Sequence, residues 1–421
     1  MPSHSAGAGV WPCAGATEEA PTAIVSAATV AILRRRDGVS TDPQNLFMVL
    51  VWPMIGSKGM SLHETKVPSA TLETVTRIEE FDYQLPQERI AQVPLQDRSS
   101  SKLLVDRGSF SPEHRHVSEL AALLNPGDLV VVNETKVLSA RIFASRPTGG
   151  RTEVLLLEPD GPAPLALRSQ RSEWTCLVRP SKKVPPGTEL VIAGEDDLGI
   201  TVGADLGEGR RRVLLESNDL ESALHRVGQM PLPPYITEVL DEPDRYQTVY
   251  AQQPGSAAAP TAGLHLTDAL LAELADRGVG VGKVELVVGL DTFRPVTVSE
   301  LDDHHMHSER YRVPRETTQL VQQAKADGGA VVAIGTTTVR ALESAARFGP
   351  EGATDLFIRD PFQFQAVDVL LTNFHMPKST LLVMVDAFIG SRWRELYDEA
   401  LGSDYRFLSF GDAMLLDRRA E

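Results

Sequence analysis

The chain has 421 residues, of which 42% are hydrophobic and 23% are charged, as expected for a globular protein with two domains or one large domain carrying an insertion. Its formal net charge of −16 means that the protein as a whole repels polyanions, so any contact with nucleic acid must come from a local basic surface. The two cysteines, Cys13 and Cys176, have no nearby cysteine or histidine partner, which excludes a disulfide framework and a cysteine-based zinc site and indicates the cytosol.

The first 72 residues differ from the rest of the chain. Residues 20–33 are mildly apolar, but three arginines follow this run, which is the wrong polarity for a secretory signal. Residues 46–55 are also apolar, but a run this short that contains a proline does not span a bilayer. We predict that residues 1–72 are a disordered extension or result from a start site assigned too early, with Met54 or Met60 as the true start.

Residues 79–144 alternate between apolar runs and polar clusters. The segment LLV predicts a strand at residues 103–105. A turn at residues 125–128 leads into a second buried strand and then into a polar cluster that contains Asn133, Lys136 and Arg141. This alternation is typical of a folded enzyme.

Between Thr148 and Leu224 the pattern changes to short alternating strands separated by turns, as in EWTCLVRP and RRVLLE, which is typical of a small antiparallel barrel. After His225, helical periodicity and single buried strands return, which indicates α/β alternation. The predicted fold is therefore an α/β catalytic domain, made of residues 73–144 and 225–421, with an inserted small antiparallel β-barrel domain at residues 145–224.

One loop is built from small residues. Residues 259–267 allow a ligand to approach the backbone closely, and the loop contains His265 with Thr267 or Asp268 as the cap of the next helix. An ordinary loop with a structural histidine, leading into a capped helix, fits the same pattern.

A second segment is rich in histidine. Residues 303–309 hold three histidines and two acids. His305 and His307 are two positions apart, so they need a strand or loop to converge on one ion. We therefore expect a hydrogen-bonded acid–base cluster or a solvated turn here, and no metal site.

Two further segments place hydroxyl-rich helix starts after buried strands. The strand AVVAI leads into Gly335 and then into TTTVRALES, which starts a helix. A helix start of this kind commonly binds phosphate, carboxylate or ribose, although this one lacks the Gly-Lys-Ser/Thr of a P-loop. Residues 368–388 contain a polar segment at 373–380, which we call the polar knot, between two apolar runs that both favour burial. We expect this knot at the mouth of the core, where N–H groups and hydroxyls face an anion or a sugar. A helix start capped by Ser379 or Thr380 explains the same spacing.

These motifs occur together with others in a characteristic order. The stretches concerned are FDYQLPQERIAQVPLQDRSSSKLLV, NPGDLVVVNETKVLSARI, MPLPPYI, DRYQTVYAQQPGSAAAPTAGLHLT, FRPV, DHHMHSERYRVP, AIGTTTVRALES, TDLFI, VDVLLTNFHMPKSTLLVMVDAF and YRFLSFGDAMLL. On these stretches, which cover about residues 79–416, the chain resembles the S-adenosylmethionine:tRNA ribosyltransferase-isomerase family of queuosine biosynthesis. Descent alone does not fix present activity.

The resemblance implies a transferase that uses S-adenosylmethionine as a co-substrate and needs no prosthetic group or metal. The ribosyl part of S-adenosylmethionine would be transferred to the exocyclic amine of 7-aminomethyl-7-deazaguanine in a tRNA anticodon. Adenine and methionine would leave, and the sugar would rearrange to an epoxycyclopentanediol, giving epoxyqueuosine. The expected partners are this tRNA and S-adenosylmethionine, without a membrane, and the expected state is a cytoplasmic monomer.

These chemical demands suggest roles for individual residues. The sulfonium makes the neighbouring 5′ carbon acidic, so a base should remove a proton there. The candidate catalytic residues are His265, His305 and Glu309. The candidate residues for binding S-adenosylmethionine, at the helix start and in the polar knot, are Thr336, Thr337, Arg340, Glu343, Asn373, His375 and Ser379, with Asp128 as an alternative to Glu343. The candidate tRNA-binding residues are Arg98, Lys102, Lys136, Arg141, Arg179, Lys182 and Lys183.

Two positions depart from the family pattern. Where the family reads His-Val-Gly-x-Gly-Thr-Phe, this chain has Val287 for the histidine and Asp291 for the second glycine. If that histidine transfers a proton in the family, another group must do so here. Two alternatives therefore stand beside the tRNA-modifying transferase. One is an enzyme of the same fold acting on a free small-molecule amine, and the other is a non-catalytic RNA-binding relative.

Overall fold

The computed structural model describes residues 76–108, 111–161, 163–289 and 295–419. Its strands, in chain order, are β1 (Lys102–Asp106), β2 (Glu113–His116), β3 (Leu129–Asn133), β4 (Thr135–Val137), β5 (Arg141–Ser145), β6 (Arg151–Pro159), β7 (Arg171–Arg179), β8 (Thr188–Ile192), β9 (Glu195–Gly207), β10 (Arg210–Glu216), β11 (Gly228–Gln229), β12 (Gln253–Ser256), β13 (Gly280–Leu286), β14 (Glu309–Arg312), β15 (Val331–Ile334), β16 (Glu351–Thr354), β17 (Val369–Asn373) and β18 (Ala413–Asp417). Its α-helices are α1 (Leu120–Leu123), α2 (Ala163–Arg168), α3 (Leu220–Val227), α4 (Asp268–Asp276), α5 (Arg315–Ala326), α6 (Thr336–Phe348), α7 (Thr380–Ile389) and α8 (Trp393–Gly402).

The main sheet is mixed and has nine strands in the order β16-β14-β13-β3-β15-β17-β18-β1-β2. Its neighbours β13, β3, β15 and β17 are parallel, so their carboxyl ends lie along one edge of the sheet. Both β13 and β15 follow β3 in the chain, yet they flank it on opposite sides. The connections therefore diverge at β3, which creates the kind of crevice where open α/β sheets bind ligands.

The central strands are buried on both faces because their sequences are continuously apolar. In β3, Leu129 and Val131 pack into one core, while Val130 and Val132 pack into a second core on the opposite face. A sheet of this kind needs helices on both sides. Side chains of α6 and α7 belong to the first core, and side chains of α1 and α4 belong to the second.

The second sheet closes into a six-stranded antiparallel barrel in the order β5-β6-β7-β10-β9-β8, and the pairing of Ser145 with Val191 completes the ring. Alternation along β7 points Trp174, Cys176 and Val178 into the barrel core. The indole N–H of Trp174 keeps a partner there, since it donates to the Ser172 hydroxyl at 3.0 Å. Period-two burial thus builds a separate hydrophobic core for the insertion.

The predicted fold class, an α/β domain with an inserted antiparallel barrel, is confirmed. The limits of the insertion differ from the prediction of residues 145–224. The barrel begins with β5 at Arg141, and β11, which pairs with β5, ends at Gln229. In the sequence Arg141 belongs to a polar cluster, which conceals the inward alternation of Ile142 and Ala144. The predicted extension at 1–72 and the departure at Asp291 lie outside the described residues.

Candidate functional site

A two-lobed cleft lies at the carboxyl edge of the parallel strands. The first lobe is bounded by the ends of β15 and β17 and by residues 259–262. The second lobe is bounded by the end of β17, Tyr235 and residues 408–409. The residues shared by both lobes are Thr261, Asn373, His375 and Leu381.

Helix α6 starts at the first lobe without a side-chain cap. Its N-cap is Gly335, whose φ of 89° lies in the left-handed region that favours glycine. Thr336 and Thr337 line the lobe, and the Thr337 hydroxyl is buried without a hydrogen-bond partner in the described structure. Uncapped N–H groups at a helix start attract an anion such as a carboxylate. The structure therefore brings Thr336 and Thr337 to the cleft as hydrogen-bonding groups.

The polar knot after β17 is held by its own hydrogen bonds. The Ser379 hydroxyl accepts from the Leu382 N–H at 3.3 Å and donates to the Met376 carbonyl at 2.7 Å, so Ser379 is the helix cap that the sequence offered as one reading. The His375 ring lies 2.9 Å from the Thr372 hydroxyl, and burial lowers the pKa of His375 to about 3. His375 therefore reaches the cleft as a neutral imidazole.

His265 lies behind the cleft, in the 3-10 helix Thr261–His265. The side chain is buried, with its Nδ1 3.0 Å from the Ser101 hydroxyl and its Nε2 3.1 Å from the side-chain nitrogen of Asn373. Burial, reinforced by the charge of Arg406, lowers the pKa of His265 to about 4. Because both ring nitrogens have partners, the geometry does not favour His265 as the catalytic base.

A buried ion cluster lies one helical turn further along α6. Arg340 forms a salt bridge with Glu309 and donates to the carbonyls of His307 and Thr354 at 2.8 and 2.9 Å. Glu309 Oε1 accepts from the Gly289 N–H at 2.9 Å and lies 3.1 Å from His307 Nε2. Burial raises the pKa of Glu309, but the hydrogen bond from His307 and the charge of Arg340 outweigh burial, and the net shift is downward. Arg340 is thus engaged by Glu309, and Glu309 is an ionised group that orients His307.

Two of the residues predicted to bind S-adenosylmethionine are engaged by other parts of the protein. Glu343 is fully buried, and its carboxylate accepts from the N–H groups of residues 365–367 and pairs with Arg347. Asp128 accepts from the N–H groups of Asn125 and Ala330 before the start of β3, at the edge opposite the cleft. Neither Glu343 nor Asp128 lines the two lobes.

The predicted tRNA-binding residues separate into engaged and exposed side chains. Arg98 donates to the Gln247 carbonyl at 2.6 Å, and Lys102 donates to the Ser403 carbonyl at 2.9 Å. Arg141 pairs with Glu153 at 3.3 Å. These three side chains hold parts of the fold together, which leaves fewer of their N–H donors for phosphate. The predicted residues that are exposed are Lys136, Arg179, Lys182 and Lys183.

Sequence reasoning missed two groups at the site. It chose His305, which is exposed, although His307 is the histidine that contacts Glu309. Alternation before β14 places His305 and His307 on the same side as Glu309, and the shorter separation of His307 from Glu309 is the signal that favours it. Thr261 lines both lobes but had been treated as part of a small-residue loop. No local pattern could have shown that this loop meets β17.

The described ranges contain neither a metal-binding cluster nor a membrane-spanning helix. Among those residues, no group of three or more histidine, cysteine or acidic side chains is arranged to hold a metal ion. Over the same part of the chain, no helix combines the length and the apolar character that crossing a bilayer requires.

A polar cleft at the carboxyl edge of a parallel α/β sheet, with a barrel inserted after the first parallel strand, defines an α/β enzyme with an accessory domain. The chain belongs to the queuosine biosynthesis protein family, whose model matches residues 78–416. This result confirms the resemblance seen in the sequence.

Several proteins are similar over almost their whole length. An S-adenosylmethionine:tRNA ribosyltransferase-isomerase from Symbiobacterium thermophilum is 48% identical over 349 residues, which cover 81% of this chain and 99% of the relative. The protein of the same description from Staphylococcus haemolyticus is 46% identical and covers 80% of this chain and 99% of its own length. The crystal structure of an S-adenosylmethionine tRNA ribosyltransferase from Thermotoga maritima is 37% identical, covers 80% of this chain and 99% of its own, and has a TM-score of 0.45.

Proposed function

We propose that this chain is a transferase-isomerase that moves the ribosyl part of S-adenosylmethionine onto 7-aminomethyl-7-deazaguanine in tRNA. Adenine and methionine are released, and the product is epoxyqueuosine-tRNA. The observation that carries the proposal is the cleft at the carboxyl ends of β15 and β17, in a chain that belongs to the queuosine biosynthesis family.

The start of α6 is the proposed seat of the methionine carboxylate. The N–H groups of Thr336 and Thr337 and the unpaired Thr337 hydroxyl supply three donors to one anion. Asn373, His375 and Thr261, between the lobes, then face the ribose or the adenine. Arg340 contributes through its charge and its hold on Glu309.

Glu309 and His307 are the proposed acid–base pair for proton removal at the 5′ carbon. The pair lies next to the first lobe, because Gly289, which donates to Glu309, follows the lobe residue Val288. An ionised carboxylate beside an imidazole fixes the ring and stabilises its protonated form. His307 would accept the proton, and Glu309 would hold the ring in place.

The proposed tRNA surface is the basic tip of the barrel, which we define as Arg146, Arg151, Arg179, Lys182 and Lys183. In the described part of the chain, none of these five side chains forms a salt bridge, whereas most other arginines do. The segments are adjacent, since Arg146 donates to the Lys183 carbonyl at 3.4 Å. Arg151 also lies over the ring of Phe143, at 3.8 Å from its centre, which gives a flat surface for a base or sugar.

Adenine release from S-adenosylmethionine tests the function directly. The reaction should occur with tRNA that carries 7-aminomethyl-7-deazaguanine and should not occur with unmodified tRNA. Release with the free base would instead identify a small-molecule acceptor, and no release under any condition would favour a non-catalytic RNA-binding protein.

Variants of the acid–base pair test its role within that reaction. His307→Gln and Glu309→Gln should each lower kcat by roughly 10²–10⁴-fold, the usual effect of losing a general base or its orienting group. Affinity of His307→Gln for S-adenosylmethionine should change little, because His307 is not a proposed ligand of the carboxylate. His305→Gln is the matched control, since this exposed neighbour should leave kcat unchanged.

A further inference from the structure

A chain of hydrogen bonds runs from the backbone into the cleft through Ser101, His265, Asn373 and Thr261. The Ser101 hydroxyl lies 3.2 Å from the Arg98 carbonyl, and the next two links measure 3.0 and 3.1 Å. The last link joins the Asn373 side-chain oxygen to the Thr261 hydroxyl at 3.2 Å. Ser101, His265 and Asn373 are all buried, whereas Thr261 is partly exposed.

The direction of the amide of Asn373 is fixed by its surroundings. One end of the amide lies 3.2 Å from the carbonyl of Leu408. A carbonyl oxygen can only accept, so the amide must present its NH₂ group on that side and its oxygen to Thr261. The opposite orientation would set two acceptors against each other in a buried site, which is costly.

The tautomer of His265 follows from this orientation. The same NH₂ group lies 3.1 Å from His265 Nε2, so Nε2 must accept, and the proton must sit on Nδ1. Nδ1 then donates to Ser101, whose hydroxyl donates to the Arg98 carbonyl. Protonating His265 would turn Nε2 into a donor facing a donor, which agrees with its lowered pKa of about 4. His265 is therefore held neutral in a single tautomer.

The direction of donation along this series of hydrogen bonds determines whether Thr261 donates to a ligand or accepts from it. Since the Asn373 oxygen can only accept, the Thr261 hydroxyl donates its proton inward and presents lone pairs to the cleft. Thr261 lines both lobes, so those lone pairs meet a bound molecule between its two ends. The ribose hydroxyls, the adenine amine and the methionine ammonium group of S-adenosylmethionine are all donors.

We propose that His265 is a positioning residue that, together with the Leu408 carbonyl, holds Asn373 in one orientation, and that Asn373 in turn holds Thr261 as a hydrogen-bond acceptor for S-adenosylmethionine. This inference rests on the proposed function for the identity of the ligand. It differs from a role of His265 in proton transfer, which would require the ring to change its protonation during the reaction.

Replacing His265 separates the two roles. His265→Gln can offer an amide oxygen to Asn373 but cannot take up a proton at neutral pH, and His265→Leu can do neither. We expect His265→Gln to keep kcat within about tenfold of the wild type. We expect His265→Leu to raise the KM for S-adenosylmethionine by about tenfold or more, because it removes one hydrogen bond to Asn373 and so loosens the orientation of that amide. If both variants instead lose kcat equally, by roughly 10²–10⁴-fold, His265 is a base and the inference is wrong.

Thr261 provides a second test that does not depend on the stability of the buried variants. Thr261→Val keeps the shape but removes the acceptor, and Thr261→Ser keeps it. By calorimetry with S-adenosylmethionine, Thr261→Val should bind roughly 3–10-fold more weakly, and Thr261→Ser should match the wild type. Equal binding by Thr261→Val would overturn the inference. If the wild type itself fails to bind S-adenosylmethionine, the proposed function fails first, so the two failures are distinguishable.

Discussion

The basic tip of the barrel gives a quantitative prediction for tRNA binding. Replacing Lys182 and Lys183 by alanine removes two of its five cations, both exposed and without a salt bridge in the described ranges. Each lost phosphate contact should flatten the slope of log K against log salt by about 0.7–0.9, so the double variant should lose about 1.4–1.8. Between 50 and 200 mM salt, a fourfold range, the affinity gap between wild type and variant should then shrink by about 7–12-fold.

The assay is tRNA binding at four or more salt concentrations, with calorimetry of S-adenosylmethionine as an internal check. Affinity for S-adenosylmethionine should stay constant, because the cleft residues are untouched. The matched control is Arg277→Ala with Lys325→Ala, two exposed cations near the amino ends of the parallel strands that give the same change in net charge. Parallel salt lines for the Lys182/Lys183 variant and the wild type would refute the reasoning and direct attention to Lys136.

Three further predictions concern the cleft and its supports. His265 and His375 are neutral in the fold, with pKa values of about 4 and about 3, so the unfolded chain takes up protons first as the pH falls. The free energy of unfolding should therefore fall by about 2 kcal/mol for each histidine between pH 7 and pH 5. In denaturant titrations, His265→Gln should remove the contribution of His265 to this pH dependence. Glu343→Ala should destabilise the protein by about 3–5 kcal/mol in the same titrations, because it removes the carboxylate that pairs with Arg347 and with the N–H groups of residues 365–367. A change under about 1 kcal/mol would contradict this interpretation. Adding S-adenosylmethionine should protect residues 335–340 and 373–380 from hydrogen exchange; protection confined to the barrel would contradict the cleft as the binding site.

The parts of the fold that depend on local periodicity were accessible from sequence. The runs of β3 and β15 are apolar without a break, which predicts strands covered on both faces. Alternation predicted the barrel strands after residue 148. The first barrel strand is not evident from the sequence, because Arg141 lies only four residues after the last residue of β4 and because Ile142 and Ala144 form too short an alternation. Its pairing with β6 and with β8 is what identifies it as a barrel strand.

Part of the candidate site can likewise be predicted from local sequence, and part of it cannot. Thr336 and Asn373 follow buried strands, and parallel strands end at the same edge, so their proximity follows from a general rule. The tasks of His265 and Glu343 depend instead on distant partners. Ser101 and Asn373 meet His265 from either side, and a loop some twenty residues later covers Glu343. A titratable residue in a motif can be either catalytic or structural, and only its tertiary contacts show which role it has.

The place of the barrel in the chain has a consequence for how the protein folds. Leu129 of the central strand β3 pairs with Gly280 and Val331, and the whole insertion lies between them in sequence. Closing such a long loop is slow when the intervening chain is unstructured. The barrel has its own core and its first strand pairs with β11, so once it has folded it brings Arg141 and Gln229 together and shortens the loop that remains to be closed. An insertion that folds first thus adds little to the conformational search needed to assemble the main sheet.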